Sequence, residues 1–461
     1  MKLLRRLLWL LLLALLPFPA MAAGTRPNIL ILLADDLGYA DVGFNGGQII
    51  RTPNLDRLAA TGVVLSDFRS CPMCSPTRAG LLTGRWPHRF GLMRAVVPPW
   101  SKFGLPPEEK TLAELLAERG YQRRALVGKW HLGHARRELL PLAQGFTRFY
   151  GHYNGAVDYF THEREGQCDW HDDERTLHES GYTTDLLATE AVRFIEQSPA
   201  EEPWLLYVPF NAPHGPFQTK PDDQEKYARL KMPKRRTYAA MVDSLDQAVG
   251  RILRAVEART DADNTLILFA SDNGGIPNAG SSNAPYRGAK LSVYEGGTRV
   301  CAAMRWPTRG ISGGRRFNER IGYIDVVPTL LAAVGGDTHA DLDGVDFLPA
   351  LQGEAPLPRR PWFSYIHQSA EAQASVHLGD WKLVVHGDVL SEKPGAAPSI
   401  ELYNIADDVL EKRDLARAHS DKVAELQRLL RQWMSQGRPG VASYEEGQQG
   451  FVAPKDWLIF Q

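Results

Sequence analysis

Four groups of polar residues stand just past runs that read as buried strands: Asp35-Asp36, Lys129 with His131, His214, and Asp272-Asn273. Carboxylates, imidazoles and ammonium groups are the side chains that move protons and neutralise charge in a site. A single aspartate after a strand is more often a turn or a helix cap. Likewise His131, His214 or Lys290 alone reads as an ordinary surface or core residue. Four such placements together converge on one sheet edge, where open α/β sheets collect their ligands. A further group, Cys71-Pro72-Met73-Cys74, has C-x-x-C spacing and by itself suggests thiol–disulfide exchange.

The elements that must position these residues follow from apolar patterning. Asn28–Ala34 (NILILLA) is a continuous apolar run of strand length, hence a strand covered on both faces. Thr52 before Pro53, with Leu55, Leu58 and Ala59 on one face and Gly62 as a stop, predicts a helix. Residues 63–68 read as the next strand, 111–119 as a helix stopped by Gly120, and 124–127 as a short strand. Strands at 204–210 and 265–270 alternate with helices at 183–197 and 237–258. This rhythm predicts an α/β fold with a large, mostly parallel sheet flanked by helices. Past residue 345 the pattern changes. A proline-rich linker at 356–361 precedes short strands at 362–367, 374–378, 381–386 and 400–404 and a helix at 421–436. We expect a main domain over 23–355 and a smaller C-terminal antiparallel sheet plus helix over 356–461.

Composition sets the outer limits. The chain has 461 residues, 44% hydrophobic and 23% charged, which is enough apolar material for a sizeable core and excludes disorder. Lys plus Arg number 53 against 54 Asp plus Glu, so no overall charge favours nucleic acid. Lys2, Arg5 and Arg6, an apolar run from 7 to 16 and the triplet Ala20-Met21-Ala22 have the pattern of a secretory signal cleaved after Ala22. The apolar run is too short for the ~20 residues of a membrane span. We therefore expect an exported protein, periplasmic or secreted. Losing residues 1–22 moves its net charge from −1 to −4, so an anionic substrate needs a local positive pocket. Four cysteines, Cys71, Cys74, Cys168 and Cys301, are too few for a disulfide framework, and whether Cys168 and Cys301 pair is left open.

Cys74-Ser75-Pro76-Thr77-Arg78, followed by Leu82-Thr83-Gly84-Arg85, resembles the signature of the type I sulfatases, C-x-P-x-R with a downstream L-T-G-R. Thr77 stands where the family usually has serine. The resemblance extends over nearly the whole mature chain, through Leu33-Ala34-Asp35-Asp36-Leu37-Gly38, Gly128-Lys129-Trp130-His131-Leu132-Gly133, Pro213-His214, Ser271-Asp272-Asn273-Gly274-Gly275, Arg287-Gly288-Ala289-Lys290 and Glu295-Gly296-Gly297-Thr298-Arg299. Within the family, Asp41–Gly46, 158–163 and 283–288 resemble segments of arylsulfatase B, the N-acetylgalactosamine-4-sulfatase.

The resemblance implies an alkaline-phosphatase-like scaffold and a sulfuric ester hydrolase whose Cys74 is oxidised to formylglycine by a maturation enzyme. An aldehyde hydrates to a geminal diol, with one hydroxyl to attack sulfur and a second to expel the product through a covalent sulfo-enzyme intermediate. The implied metal ligands are Asp35, Asp36, Asp272, Asn273 and modified Cys74, a hard-oxygen set suited to Ca2+, with Mg2+ the alternative. Arg78, Lys129 and Lys290 offset charge, His214 protonates the leaving alcohol, and His131 accepts a proton in the second half-reaction. The implied partner is a sulfated carbohydrate, an N-acetylgalactosamine-4-sulfate-type glycan first, or an aryl sulfate, with no nucleic acid. Hydrolysis of phosphonate monoesters or phosphodiesters on the same scaffold is the alternative activity.

Overall fold

The alternation inside Asn28–Ala34 decides how the main sheet is covered. In the computed structural model, which describes residues 26–336, 341–368, 371–390 and 398–458, this run is a strand buried at every position. Ile29, Ile31 and Leu33 face one apolar core; Leu30 and Leu32 face another, as the two-residue period of a strand requires. Trp204–Pro209 and Thr265–Ser271 flank it in parallel, with Leu30 opposite both Leu206 and Ile267.

Among the described residues the sheet has ten strands. Its five central strands are parallel, in the order Thr265–Ser271, Asn28–Ala34, Trp204–Pro209, Arg123–Lys129 and Arg148–His152. Antiparallel Ala302–Arg305 leads to one edge, and the short strands His171–Asp172 and Arg175–Thr176 form the other. Helices Pro53–Thr61, Thr183–Glu196 and Pro233–Glu257 cover one face through Leu55, Leu187 and Leu245. Cys74–Thr83, Leu112–Ala117 and Val326–Ala333 cover the other through Leu81, Leu116 and Leu330. The helix at Leu112 starts on reciprocal bonds: Thr111 Oγ1 accepts from Glu114 N–H at 3.2 Å, and Glu114 Oε2 accepts from Thr111 N–H at 2.8 Å.

The C-terminal strands Trp362–Ile366, Gln373–Leu378, Trp381–His386 and Ser399–Asn404 make a four-stranded antiparallel sheet in chain order. Leu426, Leu430 and Trp433 of helix Ser420–Met434 share one apolar core with this sheet and with one face of the main sheet. The architecture is therefore the α/β one expected, with antiparallel additions at the edges of the large sheet.

One local reading differs, and one helix has no apolar signature in the sequence. Residues 63–68 do not form one strand: Val63–Leu65 joins the large sheet, while Phe68–Arg69 pairs with Arg299–Val300 and Ile321–Gly322 in a separate three-stranded sheet. The break falls at Ser66-Asp67, where Asp67 turns to accept from Arg69 Nε at 2.5 Å. The helix Cys74–Thr83 has no apolar period in sequence, because tertiary packing buries all ten of its residues, polar ones included. All four cysteines are free, so Cys168 and Cys301 do not pair. The signal at 1–22 lies outside the described residues.

Candidate active site

Three strand ends bring the polar groups together. Asp35 and Asp272 follow neighbouring parallel strands, and Lys129 ends a third. Backbone bonds continue the pairing one step further: Asp35 N–H donates to Ala212 O at 3.1 Å and Asp272 N–H to Ala34 O at 2.9 Å. Cys74 is the first residue of its helix, where unpaired N–H groups and the positive end of the dipole favour an anion. Arg78 lies one turn on, on the same helix face.

The contacts are dense. Cys74 Sγ lies 3.4 Å from Asp35 Oδ1 and 3.3 Å from Lys290 Nζ. Lys290 Nζ and Asn273 Nδ2 both donate to Asp36 Oδ1 at 2.7 Å. Arg78 donates to Asp272 Oδ2 through Nε at 3.1 Å and Nη2 at 2.7 Å, and through Nη1 to the Lys129 carbonyl at 3.1 Å. Lys129 Nζ binds Asp35 Oδ2. Burial alone would raise the Asp35 carboxyl, but Lys129, His214, Arg78 and Lys290 hold it well below the usual range. Burial and the adjoining Asp35 charge push Asp272 up, against Arg78 and Lys129. Burial opposes the charge on Lys290, yet Asp36, Cys74, Asp35 and Asp272 keep its ammonium firmly protonated.

Burial, with Asp272 and Asp35 nearby, drives the Cys74 thiol far above the thiolate range. Burial likewise pushes Cys71 up to about 12. Thiol exchange needs the opposite environment, an electropositive site that stabilises thiolate. The C-x-x-C reading therefore finds no support here. Thr77 Oγ1 accepts from Cys71 N–H at 2.9 Å and donates to Met73 O at 3.1 Å, bonds that a serine hydroxyl would also make.

The two histidines are held by carbonyls. His131 Nε2 sits 3.0 Å from Val97 O, and its Nδ1 is buried with no hydrogen-bond partner among the described residues. Burial, Lys129 and Arg78 hold this imidazole neutral. Its ring lies over Gly155, where a Cβ would come within 2.5 Å of it. His214 Nδ1 sits 2.6 Å from Gly215 O, leaving Nε2 3.7 Å from Asp36 Oδ2. Burial and Lys290 push its pKa down.

Asp35, Asp36, Cys74 and His214 each offer one donor atom, all within 4.8 Å of one another. Asp36 Oδ2 and Asn273 Oδ1 are buried with no hydrogen-bond donor among the described residues. Such an unmade bond costs ~1–3 kcal/mol, more for a charged group, and a hard divalent cation satisfies oxygens of this kind. The residues present thus fit a metal. Asp272 is engaged on both oxygens, by Arg78 and, at 3.3 Å, by Asp36 N–H.

Three non-glycine residues around the site have left-handed backbones: Asp36 (φ 63°), His131 (φ 56°) and Leu291 (φ 67°). Each costs ~1–3 kcal/mol and persists only where the surroundings over-determine it. At Asp36 the Tyr238 hydroxyl helps, accepting from Gly38 N–H at 3.1 Å and donating to Asp36 O at 3.2 Å. Gly274 meets the segment beginning at Glu295 so closely that a Cβ there would stand 1.9 Å from Gly296 O.

A cavity of about 270 Å³ opens over Cys74, Lys290, His131 and His214. Its outer wall includes Arg164 and, from the C-terminal region, Gln368 and Tyr444. Sequence reasoning missed these three and Tyr238. None stands at a strand end or in a recognisable motif, and only the fold brings them to the site.

The sulfatase family model matches residues 27–336. Arylsulfatase J of Mus musculus is 30% identical over 90% of this chain and 77% of its own length. N-acetylgalactosamine-6-sulfatase of Canis lupus familiaris is 36% identical over 81% of this chain and 75% of its own. Among solved structures, Ps i-CgsB in complex with k-i-k-neocarrahexaose superposes with a TM-score of 0.83 at 32% identity, covering 92% of this chain and 96% of that one. With Cys74, the acidic cluster and three cations gathered at the C-terminal ends of the central strands, these matches establish that the chain belongs to the type I sulfatase family and is a sulfuric ester hydrolase.

Proposed function

We propose that this sulfatase hydrolyses sulfate esters of a carbohydrate, an N-acetylgalactosamine-4-sulfate-type glycan being the first candidate, after Cys74 has been converted to formylglycine by a maturation enzyme. The observation that carries this reading is the setting of Cys74, against Asp35 and Lys290 at a helix N-terminus, with unpartnered Asp36 and Asn273 oxygens nearby. Sulfatases generally use formylglycine and a divalent metal, and an unmodified thiol in this environment is a poor nucleophile. The carbohydrate class is supported by relatives and a solved neighbour whose names specify N-acetylgalactosamine and a neocarrahexaose.

We assign Asp35, Asp36, Asp272, Asn273 and the Cys74 position to the metal, calcium by the hard-oxygen set, with magnesium distinguished by metal analysis. When bound, the formylglycine hydrate and the cation supply the activated hydroxyl and the Lewis acid. The protein's own residues do the rest. Three carboxylates, Asp35, Asp36 and Asp272, face three fixed cations, Arg78, Lys129 and Lys290, so a dication tips the site positive and favours an anionic ester. Lys290 orients the sulfate oxygens. His214 Nε2, directed into the cavity, holds the proton for the leaving alcohol, and an incoming anion favours its charged form. His131 Nδ1, bare and neutral, accepts a proton. The outer wall built by Gln368 and Tyr444 gives the C-terminal unit, residues 356–461, a part in enclosing substrate beside the catalytic unit, residues 23–355. Export through the 1–22 signal places the enzyme where sulfated glycans are met; no helix among the described residues is long and apolar enough to cross a membrane.

The test combines peptide mass spectrometry of Cys74 with sulfate release from defined sulfated monosaccharides, aryl sulfates and matching phosphate esters. We expect formylglycine at position 74, preference for sulfate, no turnover in Cys74→Ala and substantial turnover in Cys71→Ala. Active enzyme carrying only cysteine at position 74, or faster turnover of phosphate esters, contradicts the reading.

A further inference from the structure

Two fixed cations line the cavity over Cys74, Lys290 and Arg164. Lys290 is committed to Asp36 and Cys74. Arg164 is not: its guanidinium pairs with the adjacent, exposed Glu165 at 3.2 Å, while its Nε is buried and has no hydrogen-bond partner among the described residues. The side chain is 27% exposed and lines the cavity, and its only ion pair among the described residues is to an exposed neighbour, so its guanidinium is available to an anion that enters there. The planar fork of an arginine matches a carboxylate or a sulfate through two parallel N–H bonds.

The backbone that carries Arg164 is fixed. Glu163–Arg164 and Gln167–Cys168 form a hairpin whose two turn residues, Glu165 (φ 51°) and Gly166 (φ 73°), are both left-handed, the geometry of a tight two-residue turn. The C-terminal segment locks it from outside. Trp457, fully buried, donates from Nε1 to Arg164 O at 3.0 Å, and Asp456 N–H donates to Gln167 Oε1 at 3.2 Å. At about 270 Å³ the cavity is at the small end of ligand sites, which run from ~300 Å³ upward. It holds little more than the sugar ring that carries the scissile sulfate, so a group on that ring or its neighbour reaches the wall.

We propose that Arg164 is a specificity-determining residue that binds a second anionic group, a carboxylate or a further sulfate, so that the preferred substrate is a polyanionic sulfated carbohydrate. This rests on the sulfate-ester reading above. The interaction is made equally in ground and transition states, so it acts on KM rather than kcat.

The experiment compares wild type, Arg164→Gln and Arg164→Lys on four substrates: an aryl sulfate with a neutral aglycone, a sulfated disaccharide bearing a uronate, its carboxyl-reduced counterpart, and a doubly sulfated disaccharide. Arg164→Gln should raise KM for the polyanionic substrates by about 10- to 100-fold, as expected for loss of a charge-assisted bond, and leave the aryl sulfate within about twofold. Arg164→Lys keeps the charge without the fork and should fall between. Loss of the effect in the carboxyl-reduced substrate identifies a carboxylate partner; its retention with the doubly sulfated one identifies a second sulfate. Equal losses on the aryl sulfate, or no change on any substrate with thermal stability intact, overturn the proposal. No sulfate release by wild type from any of the four would overturn the sulfate-ester reading, and this proposal with it.

Discussion

His131 and His214 both line one cavity, and their carbonyl neighbours assign the tautomers. The Val97 carbonyl takes the Nε2 proton of His131 and leaves Nδ1 as a base; the Gly215 carbonyl takes Nδ1 of His214 and leaves Nε2 to exchange a proton with substrate. We expect His214→Ala to slow sugar sulfates by about 10²–10⁴-fold, the range for loss of a general acid, and activated aryl sulfates far less, because their departing oxygen needs no proton. His131→Ala should slow both kinds of substrate alike. A series of esters of graded leaving-group acidity checks this, and parallel dependences in the two variants would refute the division of labour. Both histidines were visible in the sequence, each beyond a strand and in a recognisable segment. Tyr238 and Arg164 were not, since a tyrosine on a buried helix face and an arginine in a hairpin look like ordinary structure until the fold brings them to the site.

Among the elements, the short helix Glu295–Thr298 shows how a motif residue serves the scaffold. Glu295 is fully buried and accepts from Arg69 at 2.8 and 2.7 Å, from Lys382 at 3.0 Å, and lies 3.3 Å from His377. Lys382 also pairs with Glu411 at 2.7 Å, and Glu411 accepts from the Glu295 N–H at 2.8 Å. Lys382 and His377 belong to the C-terminal sheet, Arg69 to the three-stranded one, so one carboxylate ties three elements together. Glu295→Gln leaves two buried cations short of counter-charge and should destabilise by about 3–5 kcal/mol. Burial would raise its carboxyl, but Arg69 and Lys382 hold it well below the ordinary range. A depressed folded-state pKa contributes stability above the unfolded pKa of ~4.3 and loses it as pH falls toward the folded value. The gap between wild type and variant in urea titrations should therefore be full at neutral pH and narrow below about pH 4; a gap that widens in acid contradicts the network. The sequence marks Glu295 only as part of E-G-G-x-R. Its hydrogen-bond donors Lys382 and Arg69 lie 87 and 226 residues away, and no periodicity reports a contact at that separation. The split of residues 63–68 has partly the same origin, because Asp67 turns toward Arg299 and Arg320, distant in the chain, as well as toward the neighbouring Arg69.

At the scale of the whole chain, the boundary drawn near residue 355 separates two sheets without separating two cores. Phe363, Val376, Leu383 and Leu402 of the small sheet belong to the same apolar cluster as Ile29, Leu33 and Leu81 of the main domain. Lys382, fully buried, crosses the boundary to Glu295, and Gln368 and Tyr444 reach back to the substrate cavity. The positions of the main strands and of several helices were legible because each depends on local apolar spacing; the order of the strands in the sheet and the buried helix Cys74–Thr83 were not. The shared core was not, since composition tells how much apolar surface a chain carries and not which surface meets which. Units that share a core and buried ion pairs lose their stabilisation together, so we expect neither to be stable alone. Calorimetry should accordingly show one transition for the full chain, with calorimetric and van't Hoff enthalpies equal where unfolding is reversible. Truncation after residue 355 would expose the apolar face of the main domain and strand Arg69 and Glu295 without Lys382, and its product should lack a cooperative transition. Two resolved transitions in the full chain, or a truncated domain that melts cooperatively, would show instead that the C-terminal unit is an independent module.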